Sequence, residues 1–183
     1  MSLAQTFELL IPKARELCAG LSSDAFVWRP APGAWSVAEC IDHLNTSNEL
    51  YLRQIADAID AARRDGITGT GPFQMGWLER LFVASLEPPV KLRVKAPAKF
   101  KPVSGPGRDE IVAQWERTHV RAAELARAAD GLHMTKVRIA SPAAAFLKFS
   151  LLAVFHIIPA HDRRHLWQAS RVAEQIPASV TRA

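Results

Sequence analysis

Apolar residues recur at spacings of three and four along four stretches of the chain, the period of a helix with one buried face. The first stripe runs Phe7, Leu10, Ile11, Ala14, Leu17, Cys18 and Leu21 and stops at Ser22-Ser23. The second begins at Ser36-Val37-Ala38-Glu39. In that order the Ser36 hydroxyl accepts from the Glu39 N–H, and the Glu39 side chain accepts from the Ser36 N–H. This stripe continues through Val37, Cys40, Ile41, Leu44, Tyr51, Ile55 and Ile59 and is expected to end before Gly66. The third runs Ile111, Trp115, Thr118, Ala122, Leu125, Ala129 and Leu132. Asp109 and Glu110 sit in its first turn, where the helix dipole favours acids. The fourth is expected to start after Ser141-Pro142 and reach about Glu174. Leu147, Ser150, Leu151, Val154, Ile157 and Ile158 form its inward face, and Pro159 is expected to kink it.

Between the second and third stripes, Gly66 to Gly107 is punctuated by glycine and proline. A short helix is predicted around Gln74 to Ser85. Beyond Pro88 lie five basic residues, Lys91, Arg93, Lys95, Lys99 and Lys101, with no acidic residue before Gly107. They read as a solvated loop crossing the bundle, with attraction of an anionic substrate as the sharper alternative. No aromatic platform accompanies them, so nucleic acid is not an expected partner. With no internal repeat and no second hydrophobic pattern, four amphipathic helices predict an all-α fold, a single four-helix-bundle domain over residues 1–183.

Composition agrees with this. The 183 residues are 49% hydrophobic and 22% charged, which excludes a disordered chain, and the net charge of +5 is only mildly basic. Two cysteines, Cys18 and Cys40, exclude a disulfide framework and a cysteine zinc finger. The first residues lack the charged-then-apolar plan of a secretory signal, so a cytoplasmic location is expected. Pro142 to Ala160 is apolar enough to warrant a membrane test. Lys148 and His156 lie inside it and Pro159 near its end, so a buried helix is expected and not a membrane span.

The chemistry concentrates in the fourth stripe. Past Pro159 its inward face reaches His161, His165 and Gln168. The two histidines are one turn apart, so their imidazoles can reach one metal ion. Asp162 stands where a zinc protease helix would carry Glu, which breaks that motif. The Glu-x-x-His pattern of di-iron bundles is absent. No serine-histidine-aspartate order and no phosphate-cradling glycine loop occurs. A third ligand must come from another helix. His43, two turns into the second stripe, is the best candidate, and His119, on the inward side of the third, competes with it. His133 reads as surface, and His156 faces away from the pair.

Two segments carry a family resemblance. One is Trp28-Arg29-Pro30-Ala31-Pro32-Gly33-Ala34-Trp35-Ser36-Val37-Ala38-Glu39-Cys40-Ile41-Asp42-His43-Leu44. The other is His161-Asp162-Arg163-Arg164-His165-Leu166-Trp167-Gln168. In order and spacing the chain resembles the DinB/YfiT-like superfamily of metalloenzymes. The resemblance implies an up-down-down-up four-helix bundle with a long irregular crossover between its second and third helices. It implies a divalent metal, zinc or nickel, held by His43, His161 and His165. It further implies a small-molecule substrate, in some relatives a low-molecular-weight thiol such as bacillithiol, mycothiol or glutathione, and in others hydrolysis. Many family members have no known activity.

Three neutral imidazoles leave a divalent ion its full charge and an open position. Water or a thiol there is acidified, so the expected activity is a thiol transferase or a hydrolase. The alternative is a non-catalytic metal-binding or stress-related protein. Gln168, on the His165 face, and Asp42, read as solvent-facing, are the candidate outer partners of the imidazoles. Glu39 reads as a cap and Cys40 as core. A homodimer is expected from Trp77, Phe82 and Trp167, which lie off the main stripes.

Overall fold

A computed structural model of the chain describes residues 1–89 and 107–181. The basic residues Lys91, Arg93, Lys95, Lys99 and Lys101, and with them the expected extended strip, lie outside the described residues. The chain is mostly helical. In order it forms α1 (Leu3–Glu8), α2 (Ile11–Cys18), α3 (Ser23–Val27), α4 (Val37–Arg64), α5 (Trp77–Leu86) and α6 (Arg108–Ala128). The strands β1 (Arg138–Ala140) and β2 (Lys148–Ser150) follow, then α7 (Leu151–Ala173) and α8 (Ala178–Thr181). Among the described residues, no helix is long and apolar enough to cross a membrane.

The longest helix starts where its sequence says it should. Ser36 Oγ accepts from the Glu39 N–H at 3.2 Å, and the Glu39 carboxylate accepts from the Ser36 N–H at 2.9 Å. Arg29 adds a two-pronged ion pair to the same carboxylate, at 2.7 and 2.6 Å. The helix ends at Arg64, and Gly66 then adopts φ +66°, a left-handed turn that a residue with a Cβ rarely takes.

The core is two apolar clusters with a polar layer between them. One cluster joins Phe7 of α1, Leu52, Ile55 and Ile59 of α4, Ala122 and Leu125 of α6, and Val154 to Ile158 of α7. The other joins Leu10, Ala14, Phe26, Val37, Ala38, Cys40, Ile41, Leu44, Ile111, Trp115, Ala169 and Val172. Where they meet along α4 are the buried polar residues His43, beside Leu44, and Asn45, Ser47 and Asn48. Along α6 they are Thr118 and His119, and along α7 Asp162. Both cysteines belong to the second cluster. Burial pushes the Cys18 thiol up to about 11, with Arg108 opposing, and the Cys40 thiol up to about 12.

Two expectations are corrected. The first stripe is two helices, broken between Glu8 and Ile11. Pro12 has no N–H to continue the ladder, and it sits in the first turn of α2, where none is needed. The fourth helix starts at Leu151, eight residues later than the expected start after Ser141-Pro142. Leu147 therefore leaves the inward face, and it is exposed. Residues 148–150 instead pair antiparallel with residues 138–140, a small hairpin within a mostly helical chain that agrees with the all-α expectation. That pairing removes Lys148 to Ser150 from the helix, and Ser150 becomes its N-cap, accepting from the Ala153 N–H at 3.1 Å. From there α7 continues through Pro159 to Ala173.

Helix α5 holds this start in place. Glu79 accepts from the Ser150 N–H at 2.7 Å and from its hydroxyl at 3.0 Å. Ser150 thus joins a cap to a bridge between two helices. Ser150→Ala should cost about 1–2 kcal/mol, the upper part of the range for losing an N-cap. Urea unfolding checks this against Ser36→Ala, where Arg29 still holds Glu39 and the cost should be about 1 kcal/mol.

Candidate metal centre

The site forms where α4 and α7 face each other across the polar layer. His43, in the second turn of α4, is buried, as the apolar residues Ile41 and Leu44 on the same turn are. His161 and His165 project from α7 one turn apart. One ligand atom from each of the three rings can be chosen so that all lie within 4.8 Å of one another. The Nε2 atoms of His43 and His161 are 3.4 Å apart. Two imidazoles bound tetrahedrally at a metal–nitrogen distance of about 2.0–2.1 Å would place their nitrogens about 3.3 Å apart. The ring centroids of His43 and His165 are separated by 4.7 Å, and those of His161 and His165 by 4.6 Å.

The donor set suits a cation. Burial lowers the His161 pKa well below its ordinary value, with His165, His43 and Arg164 adding in that order. His165 is pushed to about 3 by burial first, then by His43 and Arg164, with Gln168 opposing. Both rings are therefore neutral at physiological pH, with a nitrogen lone pair to offer. The His165 Nδ1–H donates to the Gln168 side-chain carbonyl at 3.0 Å, which leaves the lone pair on Nε2 as the one that could ligate. Trp35 packs on the cluster, its ring 4.8 Å from that of His43 and 5.7 Å from that of His165. These three residues could hold a divalent metal ion.

The other candidates fall elsewhere. Glu39 is committed to the Ser36 cap and to Arg29. Burial alone would raise its carboxyl, but the bonds from Arg29 and Ser36 outweigh that and hold it below its ordinary value. Asp42 was expected to face solvent and is 8% exposed, so it is buried in α4. Gln168 meets His165 as its position on the helix face implied. His133 was expected at the surface. It is half-buried, its ring 4.6 Å from Phe73 and its Nδ1 3.1 Å from the Thr135 hydroxyl. His156 stands apart from the cluster, its pKa lowered by burial and then by Arg163.

His119, the competing ligand, is 1% exposed and belongs to a different set of contacts. Its Nδ1 lies 2.9 Å from the Trp115 carbonyl, and its Nε2 3.1 Å from Asp162 Oδ2. The other oxygen of Asp162 accepts from Asn48 Nδ2 at 2.9 Å. Sequence reasoning treated Asp162 only as the residue that breaks a protease motif. The signal that would have found it is a carboxylate inside an apolar helix, which has to meet partners.

A family model comparison decides the relationship. The model describing the DinB superfamily matches residues 6–169. The chain belongs to the DinB superfamily. No curated protein and no solved structure matches it. The matched span of this DinB-superfamily chain contains both Trp35 to His43 and His161 to Gln168, so the cluster and its packing partners lie within the family region.

The depressed His165 pKa has a consequence for stability. An imidazole in the unfolded chain titrates near 6.5, while in the folded protein it does so at about 3. Between those values the unfolded chain binds a proton that the folded one refuses. Stability is therefore full above about pH 6.5 and is lost as pH falls toward 3. The urea midpoint of the metal-free protein should drop from pH 7 to pH 4. The drop should be shallower in His165→Gln, which cannot titrate; an equally steep drop would clear His165 as its source.

Proposed function

We propose that this DinB-superfamily protein is a divalent-metal-dependent enzyme acting on a small molecule, with His43, His161 and His165 as the ligands. The observation that carries this reading is three inward-facing imidazoles from two helices within reach of one cation. Their charge supports it as well as their geometry: with no anionic ligand, a bound divalent ion keeps its formal charge. Such an ion supplies Lewis-acid activation of water or of a thiol. Imidazole ligands favour zinc or nickel over magnesium or calcium, which prefer oxygen.

The residues around the cluster do the remaining work. Gln168 holds the His165 tautomer. Trp35 forms an aromatic wall against two of the rings. Arg164 adds positive charge close enough to depress both α7 histidines, which favours an anionic reactant such as a thiolate. That favours a thiol transferase, in which the thiol loses its proton and its sulfur replaces a leaving group on an electrophile. Hydrolysis, with water in the thiol's place, is the second form of the same chemistry. The way the helices share the two apolar clusters supports the up-down-down-up arrangement. The first-cluster residues of α4 and α6 lie toward their C-terminal ends, whereas those of α7 lie toward its N-terminal end. The exposed Trp77, Leu78 and Leu81 of α5 support a contact between two copies.

Untagged protein reconstituted with zinc should bind about one equivalent, measured by elemental analysis after gel filtration. His43→Ala, His161→Ala and His165→Ala should each lower affinity by more than the roughly 10–100-fold that outer partners command, with the far-ultraviolet spectrum still helical. Unchanged zinc content in the His43 variant would remove that residue from the site. Loaded protein is then assayed with small thiols and alkylating electrophiles, and separately with esters and amides. Metal uptake without turnover in either assay would leave the non-catalytic metal-binding alternative.

A further inference from the structure

The polar layer contains a second constellation, behind the three imidazoles. Asp162 is fully buried, on the residue next to His161. Its two carboxylate oxygens are bonded to two different helices, Oδ1 to Asn48 of α4 and Oδ2 to His119 of α6. The His119 ring is packed between Trp115, at 3.8 Å, and Phe7, at 6.3 Å. The Trp115 carbonyl can only accept, so His119 Nδ1 carries a proton and donates it. One further proton must then lie between Nε2 and Oδ2, because two bare acceptors would repel. The ring cannot reorient without losing one bond or both.

We propose that Asn48 and His119 are positioning residues for the metal centre, acting through Asp162 to set the rotation of α7 about its own axis. The proposal rests on the metal-site reading above. Successive residues on a helix point about 100° apart. A carboxylate locked between α4 and α6 therefore dictates where the next side chain back, His161, and the one three residues on, His165, must point. Apolar burial is non-directional and sets this angle less sharply. Hydrogen bonds weaken steeply with angle, so this network resists rotation. The tolerance required is small: a functional constellation must be held to within about 0.5 Å or 10–20°. The layer's cost in desolvation is thereby tied to the direction of the ligands. Among the described residues the other amide atom of Asn48, Oδ1, is buried without a hydrogen-bond partner, so the bond to Asp162 is the directional contact of that amide.

The test compares three variants by zinc affinity, in competition with a chromophoric chelator, and by the ring carbon–proton resonances of His161 and His165 in metal-free protein. His119→Phe keeps the ring packing and removes both bonds. It should weaken zinc binding about tenfold or more and move both sets of resonances. Asp162→Asn should keep both contacts, its Oδ1 accepting from Asn48 and its Nδ2 donating to a neutral His119. It should stay within about threefold of the parent affinity with resonances unmoved, a rescue that a general loss of stability would not produce. If His119→Phe does not fold, Asn48→Ala decides: affinity lowered about threefold or more supports the network. A folded His119→Phe, or Asn48→Ala in its place, with parent affinity and unmoved resonances would overturn it. Parent protein that takes up no zinc would sink the metal reading alone, and the resonances would still decide whether the network aims the two rings.

Discussion

Burying polar side chains in the middle of a helical core is the constraint on which the rest of this structure depends. A bundle of this size would be most simply filled with hydrocarbon from end to end. Instead, apolar packing stops at Leu44, Trp115 and Ile158 and resumes at Leu52, Ala122 and Ala169. In the gap lie histidines, asparagines, a serine, a threonine and an aspartate. Each costs free energy to desolvate unless it finds a partner. Asp162 finds two, from two helices, and His119 finds two. The layer is thus a set of directional contacts inside an otherwise non-directional core.

Its two halves do different jobs. On one side Asp162 and its partners form a closed set in which almost every donor and acceptor is matched. On the other side three imidazoles face one another with no carboxylate among them. Burial keeps the α7 pair neutral, and a buried neutral imidazole has a lone pair that only a proton, a donor or a cation can satisfy. The closed set and the open set are joined by the peptide link between His161 and Asp162, so rigidity on one side is transmitted to the other. On the proposed reading, the three imidazoles alone do not describe the centre. The residues that hold the helix at one rotation are part of it.

The misreadings of the sequence have specific physical causes. The start of α7 was placed too early because Ala143 to Leu147 continues an apolar run, and periodicity cannot tell a helix from a strand that pairs over three residues. The break after Glu8 was legible at Pro12 but was masked by the unbroken stripe on either side. Asp42 looked solvent-facing from its place on the α4 wheel, but neighbouring elements bury it. His119 was visible as an inward histidine. Whether it faces the cluster or Asp162 depends on the relative rotation of two helices whose facing residues are 43 positions apart in sequence.

Local chemistry along the chain determined the long helices, the Ser36 cap, the burial of both cysteines and the one-turn spacing of His161 and His165. All of these follow from contacts a few residues apart, where period and capping leave little choice. Tertiary structure alone decided that His43 meets the α7 pair and that His119 is taken by Asp162. It also decided that Ser150 rather than Ser141 caps the start of α7. Those outcomes depend on how rigid helices are turned against one another, and that angle is set by partners distant in sequence, which no local pattern encodes.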